Sequence, residues 1–111
     1  MHGLRDFLPE ARQRAGELAI AGPSADRAEG LAEAASGHVD RAQELLARAI
    51  EAFDRVSPFE AARTRDALAA LEPQGRETLL VAALETFERL GAEPDAARVR
   101  EAVGKGPTPA R

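Results

Sequence analysis

The chain has no cysteine, no tryptophan, no tyrosine and a single lysine, Lys105. Without cysteine there is no disulfide framework, thiolate zinc site, iron–sulfur cluster or cysteine nucleophile. Only four phenylalanines are present and β-branched residues are scarce, which argues against a sheet. Alanine and leucine dominate the apolar residues, a composition suited to closely packed helices. No window reaches the roughly 18 apolar residues of a membrane span. The opening MHGLRDFLPE also lacks the positive–apolar–small order of a secretory signal. A cytoplasmic location without a membrane partner is the expectation. Nor is there a basic excess: 15 Lys and Arg stand against 19 Asp and Glu, a formal net charge of −4. Duplex DNA needs a concentrated basic face, so no direct nucleic-acid contact is expected.

What is present is one domain's worth of chain, 111 residues with 44% hydrophobic and 31% charged residues. A domain of this size buries roughly 60–70% of its surface on folding. Its Ala, Arg, Gly and Pro content reads as that of a GC-rich bacterial genome. The chain also resembles itself. Shifted by 34 positions, Leu45, Leu46, Ala49, Ile50, Phe53 and Val56 fall on Leu79, Leu80, Ala83, Leu84, Phe87 and Leu90. Glu51, Asp54 and Arg55 fall on Glu85, Glu88 and Arg89, and Asp26 and Ala28 fall more loosely on Glu60 and Ala62. With one further residue of slip, FEAARTR at Phe59–Arg65 meets PDAARVR at Pro94–Arg100. This period is that of tetratricopeptide repeats, each a helix–turn–helix unit.

Helical periodicity points the same way. Ala42, Leu45, Leu46, Ala49, Ile50, Phe53 and Val56 form one continuous stripe on a 3.6-residue helix. Glu44–Arg48 and Glu51–Arg55 stand four apart on the polar side, in the favourable order. Ser57, Pro58 and Glu60 spell a capping box with proline at the first helical position. Gly37, Gly91 and Gly104 mark helix ends, and Pro73 and Pro94 mark helix starts. The expected map is six helices: Pro9–Ala21, Ala25–Ser36, Val39–Val56, Pro58–Leu71, Gln74–Leu90 and Pro94–Val103. The expected fold is all-α, with antiparallel hairpins stacked as a short α-solenoid over Pro9–Val103. Met1–Leu8 is a separate N-terminal segment and Gly104–Arg111 a flexible tail. The last helix caps the stack through Arg98, Arg100 and Glu101. The first either caps it or exposes an edge that dimerises.

LLARAIEAFDRVSPFEAARTRDALAAL followed by LLVAALETFERLGAEPDAARVREAVG resembles the tetratricopeptide-like region of LuxR/MalT-type bacterial transcription regulators. The resemblance is best over Gly37–Gly104. It implies a protein–protein interaction or regulatory scaffold, free-standing or part of such a regulator. The phosphate-binding loop of those regulators is missing, and no helix-turn-helix follows Gly104, so nucleotide hydrolysis and DNA binding do not carry over. The partner implied is another protein or peptide, or a second copy of this chain.

In tetratricopeptide-like proteins the first helix of each hairpin lines a concave groove. That register makes Arg27 and Arg65 candidate groove residues, able to clamp a carboxylate through paired hydrogen bonds. The competing and preferred reading pairs these arginines with neighbouring acids, as Arg63 with Glu60. Phe7 and Phe59 are read as staples of helix starts rather than partner anchors. His38 is read as a solvated turn residue, and His2 as a terminal one. Glu60 with Asp66 and Glu85 with Glu88 are acid pairs without a nucleophile or oxyanion donor. GKGPT near the C-terminus lacks the spacing of a phosphate loop. The expectation is therefore a non-enzymatic module with no catalytic residue, no metal site and no cofactor. The alternative is a small helical bundle, ligand-binding or enzymatic, with a pocket between its helices.

Overall fold

A computed structural model describes the backbone of residues 2–105 and the side chains of 19–105. Five helices and no strand occur among the described residues: α1 His2–Ala35, α2 Val39–Val56, α3 Pro58–Ala69, α4 Arg76–Leu90 and α5 Glu93–Lys105. Each helix packs mainly on the next in sequence, α1 on α2, α2 on α3, α3 on α4 and α4 on α5.

The six expected helices become five because α1 runs unbroken through Gly22-Pro23-Ser24. Proline removes one backbone N–H and crowds the residue before it, whose Cβ would meet the ring. Glycine at position 22 has no Cβ, which relieves the second penalty. Pro23 is itself buried, and one turn later Asp26 and Arg27 are tied to α2 and α3 by ion pairs. The boundary expected at Leu8 falls inside the same helix. Gly104 and Lys105, expected to open the tail, belong to α5; the rest of the expected tail lies outside the described residues.

The stripe predicted for α2 is its buried face: Ala42, Leu45, Leu46, Ala49 and Phe53 are fully buried and Ile50 nearly so. In α4 the matching Leu80, Ala83 and Phe87 are buried, while Leu79 and Leu84 are partly covered. Val56 and Leu90, expected to end the two stripes inside the core, are exposed. Each is the last residue of its helix, where the chain turns away. Burying a Leu or Phe contributes roughly 1.5–3 kcal/mol. One core cluster gathers Ala62 and Ala69 of α3, Leu80, Ala83 and Phe87 of α4, and Ala96 and Val99 of α5. A second joins Leu46 and Ile50 to Leu68, with Leu71 and Leu79 against it, and a third joins Ala49, Phe53 and Ala61.

The turns follow their glycines. Gly37 and Gly91 take φ of +86° and +73°, in the left-handed region glycine favours. After Ala35 the His38 N–H donates to Glu33 O at 2.9 Å and the Gly37 N–H to Ala34 O at 3.0 Å. After Leu90 the Ala92 and Gly91 N–H groups donate to Phe87 O and Glu88 O at 2.9 and 3.2 Å. Both are Schellman closures. Pro94 is the second residue of α5, but Pro73 lies in the turn before α4, which starts at Arg76. That turn is held from α2, where Gln43 Nε2 donates to Leu71 O at 2.8 Å. Such a bond satisfies a carbonyl that the end of α3 leaves without a partner.

Gly30 sets the approach of α1 to α2. A Cβ there would lie 3.0 Å from Leu46 Cδ2 and 3.2 Å from Leu45 Cβ. The missing side chain lets the two helices meet almost backbone to side chain.

Candidate interaction surface

The surface is built outward from the start of α3. Ser57 caps this helix, its Oγ accepting from the Glu60 N–H at 3.4 Å. The capping box is half made, because the Ser57 N–H donates instead to Phe53 O at 2.7 Å and the Glu60 carboxylate is taken by arginines. Arg27 Nη1 of α1 reaches Glu60 Oε1 at 2.6 Å and the Thr64 hydroxyl at 3.3 Å. Its guanidinium also lies 4.9 Å from the centre of the Phe53 ring, a cation–π contact. Thr64 is the buried polar side chain among the described residues, and its hydroxyl donates to Glu60 O at 2.7 Å.

Arg63 completes that cluster from its exposed side, 3.4 Å from Glu60 and with its guanidinium 5.9 Å from the Phe59 ring centre. Phe59, read as a staple, packs beyond its own helix. It meets Phe87 of α4 edge to face, with centroids 5.7 Å apart, and so anchors α3 to α4. Phe7 lies outside the described side chains, as does His2. Toward α5, Arg98 donates to Asp66 of α3 and, at 3.1 Å, to Asp95 of its own helix. The hydrogen bond to Asp66, opposed by partial burial, raises the Arg98 pKa above the ordinary arginine value. Glu60 and Asp66, read in the sequence as one acid pair, thus serve different neighbours: Glu60 joins α3 to α1 and Asp66 joins it to α5.

Arg65 is elsewhere. Its Nη1 and Nη2 donate to Asp54 Oδ1 and Oδ2 of α2 at 2.8 and 2.7 Å, a two-pronged pair. Arg27 and Arg65 therefore do not converge; each is committed to a carboxylate within the chain. The pairing with neighbouring acids, preferred from the sequence, is the arrangement observed, including Arg63 with Glu60. One helix pair later, Arg100 Nη2 donates to Glu88 Oε2 at 2.8 Å, which likewise raises the Arg100 pKa. Asp54 and Glu88 stand 34 apart, and Arg65 and Arg100 stand 35 apart.

Sequence spacing missed pairs that join one helix to another. Arg48 does not turn to Glu44 as expected; it reaches Asp26 of α1 at 3.1 Å, and Glu44 takes Arg41 at 3.3 Å. Glu51–Arg55 is present but loose at 3.6 Å. The matched Arg65/Arg100 and Asp54/Glu88 columns of the self-alignment were the one signal able to expose an interhelix pair.

His38 sits in the α1–α2 turn, exposed, with Nδ1 3.5 Å from Glu33 Oε1. Shallow depressions of 380 and 550 Å³ lie beside Gln43 with Glu72–Gly75 and beside Glu33 with Gly37–Arg41. A third, of 460 Å³, lies along Glu77, Val81 and Glu85 of α4. Among the described residues no three His, Cys, Asp or Glu side chains are grouped to hold a metal ion. No buried side-chain nitrogen or oxygen among them lacks a hydrogen-bond partner. No described helix is long and apolar enough to cross a membrane. Comparison with protein-family models, with curated proteins and with solved structures returns no match.

Proposed function

We propose that the chain is a non-enzymatic protein-interaction module, a short tetratricopeptide-like stack of helical hairpins. Its role would be that of a regulatory scaffold, like the corresponding region of LuxR/MalT-type bacterial regulators. The observation that carries the reading is the recurrence of one device in two successive units. Arg65–Asp54 and Arg100–Glu88 occupy matching places in the self-alignment, and each ties a helix to the C-terminal end of the helix just before it. Leu46 and Leu80, also matched, are both buried. Packing of each helix on its successor is how repeat stacks are held.

The α3 side, bordered by α1 and α5, is the binding face of this reading. Its outer cations are Arg63 and Arg98, both about half exposed. Each is already paired, so an acidic partner must exchange one carboxylate for another, which favours a graded, competitive contact. The pocketed-bundle alternative needs polar groups converging in an apolar cavity. The buried Thr64 hydroxyl instead faces Glu60 O and Arg27, which supports the scaffold reading.

The test is capture from an extract of the source cells with the full chain as bait, followed by cross-linking. Arg63→Glu with Arg98→Glu reverses the outer charges without touching the core. A protein retained by the wild type and lost by this variant supports the reading. Equal capture by both, or capture of nothing while native mass spectrometry finds a bound small molecule, overturns it.

A further inference from the structure

We propose that Arg63 is the docking cation of the α3 face, where it takes the carboxylate of a peptide segment whose single Asp or Glu stands beside an apolar residue, and that Arg98 is a structural strut. This rests on the interaction-module reading and names the chemistry of its partner and the residue that recognises it.

The two outer arginines belong to networks of opposite balance. At the start of α3 one carboxylate serves two guanidiniums: Glu60 Oε1 lies 2.6 Å from Arg27 Nη1 and 3.4 Å from Arg63 Nη1. Toward α5 one guanidinium serves two carboxylates, Arg98 donating to Asp66 from Nη1 and to Asp95 from Nη2. The first network therefore carries one positive charge in excess, and the second one negative charge.

This difference decides which arginine is replaceable. Arg27, only 19% exposed, is fixed by Glu60, by the Thr64 hydroxyl and by the Phe53 ring. When Arg63 turns outward, Glu60 keeps Arg27 and no carboxylate is stranded. Arg63 is 51% exposed and makes the longer of the two contacts, the kind of surface pair that holds a side chain weakly. When Arg98 turns outward, Asp66 and Asp95 both lose their cation, and two carboxylates gathered round one guanidinium are left to repel each other. An incoming carboxylate completes the first network and overloads the second.

The surroundings of Arg63 define the rest of the partner. Its guanidinium lies 5.9 Å from the centre of the Phe59 ring, Phe59 is half-buried, and Pro58 beside it is exposed. Turning Arg63 away uncovers apolar surface at Phe59, so the residue next to the acid is apolar. The first turn of α3 also presents the positive end of the helix dipole, which favours the same charge. A run of acids is disfavoured, because the chain has a formal net charge of −4 and the Asp66–Arg98–Asp95 network lies farther along the same helix. One carboxylate fits; a string of them does not.

A nuclear magnetic resonance titration of the full chain with the capped peptide acetyl-Ala-Leu-Glu-Leu-Ala-amide tests the assignment, read at the arginine Nε–Hε signals. At millimolar peptide the Arg63 signal and the Phe59 and Glu60 amides should shift while the Arg98 signal stays in place. The counterpart with Gln for Glu should bind at least about tenfold more weakly. Arg63→Ala should abolish the Phe59 and Glu60 shifts and leave the thermal midpoint as in the wild type, whereas Arg98→Ala should lower the midpoint. An unmoved Arg63 signal, equal shifts at Arg63 and Arg98, or equal binding of the Gln peptide overturns the proposal. So does an Arg63→Ala chain that still binds, or one whose midpoint falls as far as that of Arg98→Ala. The two readings fail separately. A captured protein lost with Arg98→Glu alone and kept with Arg63→Glu alone sinks the docking assignment and leaves the module standing. Equal capture by the wild type and the double variant sinks the module itself.

Discussion

Gly30 and Gly104 are both helical glycines, and their substitution should have opposite outcomes. At Gly30 any added side chain runs into Leu46 and Leu45 of α2. Gly30→Leu should lose roughly 1–3 kcal/mol of stability, the usual consequence of overfilling a packed contact, read from the midpoint of a urea titration. A Cβ at Gly104 meets nothing within 4 Å. Gly104→Ala should raise stability by up to about 1 kcal/mol through helix propensity. Gly91, at φ +73°, is the third kind. Gly91→Ala should destabilise by about 1–2 kcal/mol although no atom stands in the way, because the backbone conformation itself is disfavoured. Replacing Arg27 by Ala removes its bonds to Glu60 and Thr64 at a mostly buried place and should lower stability by about 1.5–3 kcal/mol. The positive φ of Gly37 and Gly91 was legible because each ends a periodic run. The contact at Gly30 was not, since nothing local distinguishes a glycine that faces a neighbour from one that faces water. Arg27 was singled out in the sequence and pairing with an acid of the chain was the preferred reading, but which groups it reaches was not legible, since they stand 33 and 37 residues away, beyond the reach of spacing rules.

At the scale of the element, α2 and α4 invite a direct comparison. Leu46→Ala and Leu80→Ala each empty a buried leucine site, and each should lower stability by roughly 2–5 kcal/mol. Similar losses in denaturant unfolding would show the two helices carrying like loads; a loss at one position only would break the equivalence. The Arg65–Asp54 and Arg100–Glu88 pairs should likewise show coupling of the same sign in double-mutant cycles, shrinking as salt is added. Arg98 and Arg100, whose carboxylate partners raise their pKa values, introduce no neutral-range pH dependence of their own. A guanidinium whose pKa is raised on folding contributes stability that is fully present below its unfolded value and lost only as pH climbs through the raised one. Helices α2 to α5 were legible to within two residues at their ends, because stripe, cap and glycine mostly agree there. Where they disagree the sequence misled: Gly22-Pro23 looks like a break, yet the missing Cβ at 22 and the anchors at Asp26 and Arg27 keep α1 helical. The ends of α3 and α4 shifted for a related reason, as Gln43 holds the Leu71 carbonyl from another helix.

For the molecule as a whole, stability should fall off from the middle. Helices α2, α3 and α4 each pack on two neighbours, whereas α5 packs mainly on α4. Native-state hydrogen exchange should find the slowest amides in α2, α3 and α4 and faster exchange in α5. Uniform protection across all five helices would mean a single cooperative unit instead. The all-helical class was legible from composition and period, but the way the surface charges cancel was not, because most of the pairs form only when separate helices are brought side by side.

In the stack proposed above, each helix leans chiefly on its successor, and such a stack sets no fixed number of units. A duplicated stretch from Ser57 to Gly91, spliced in at its own boundary, would find a leucine-bearing face waiting on one side and offer the same face on the other. Size in such a molecule is a variable that gene duplication can turn without inventing a new core.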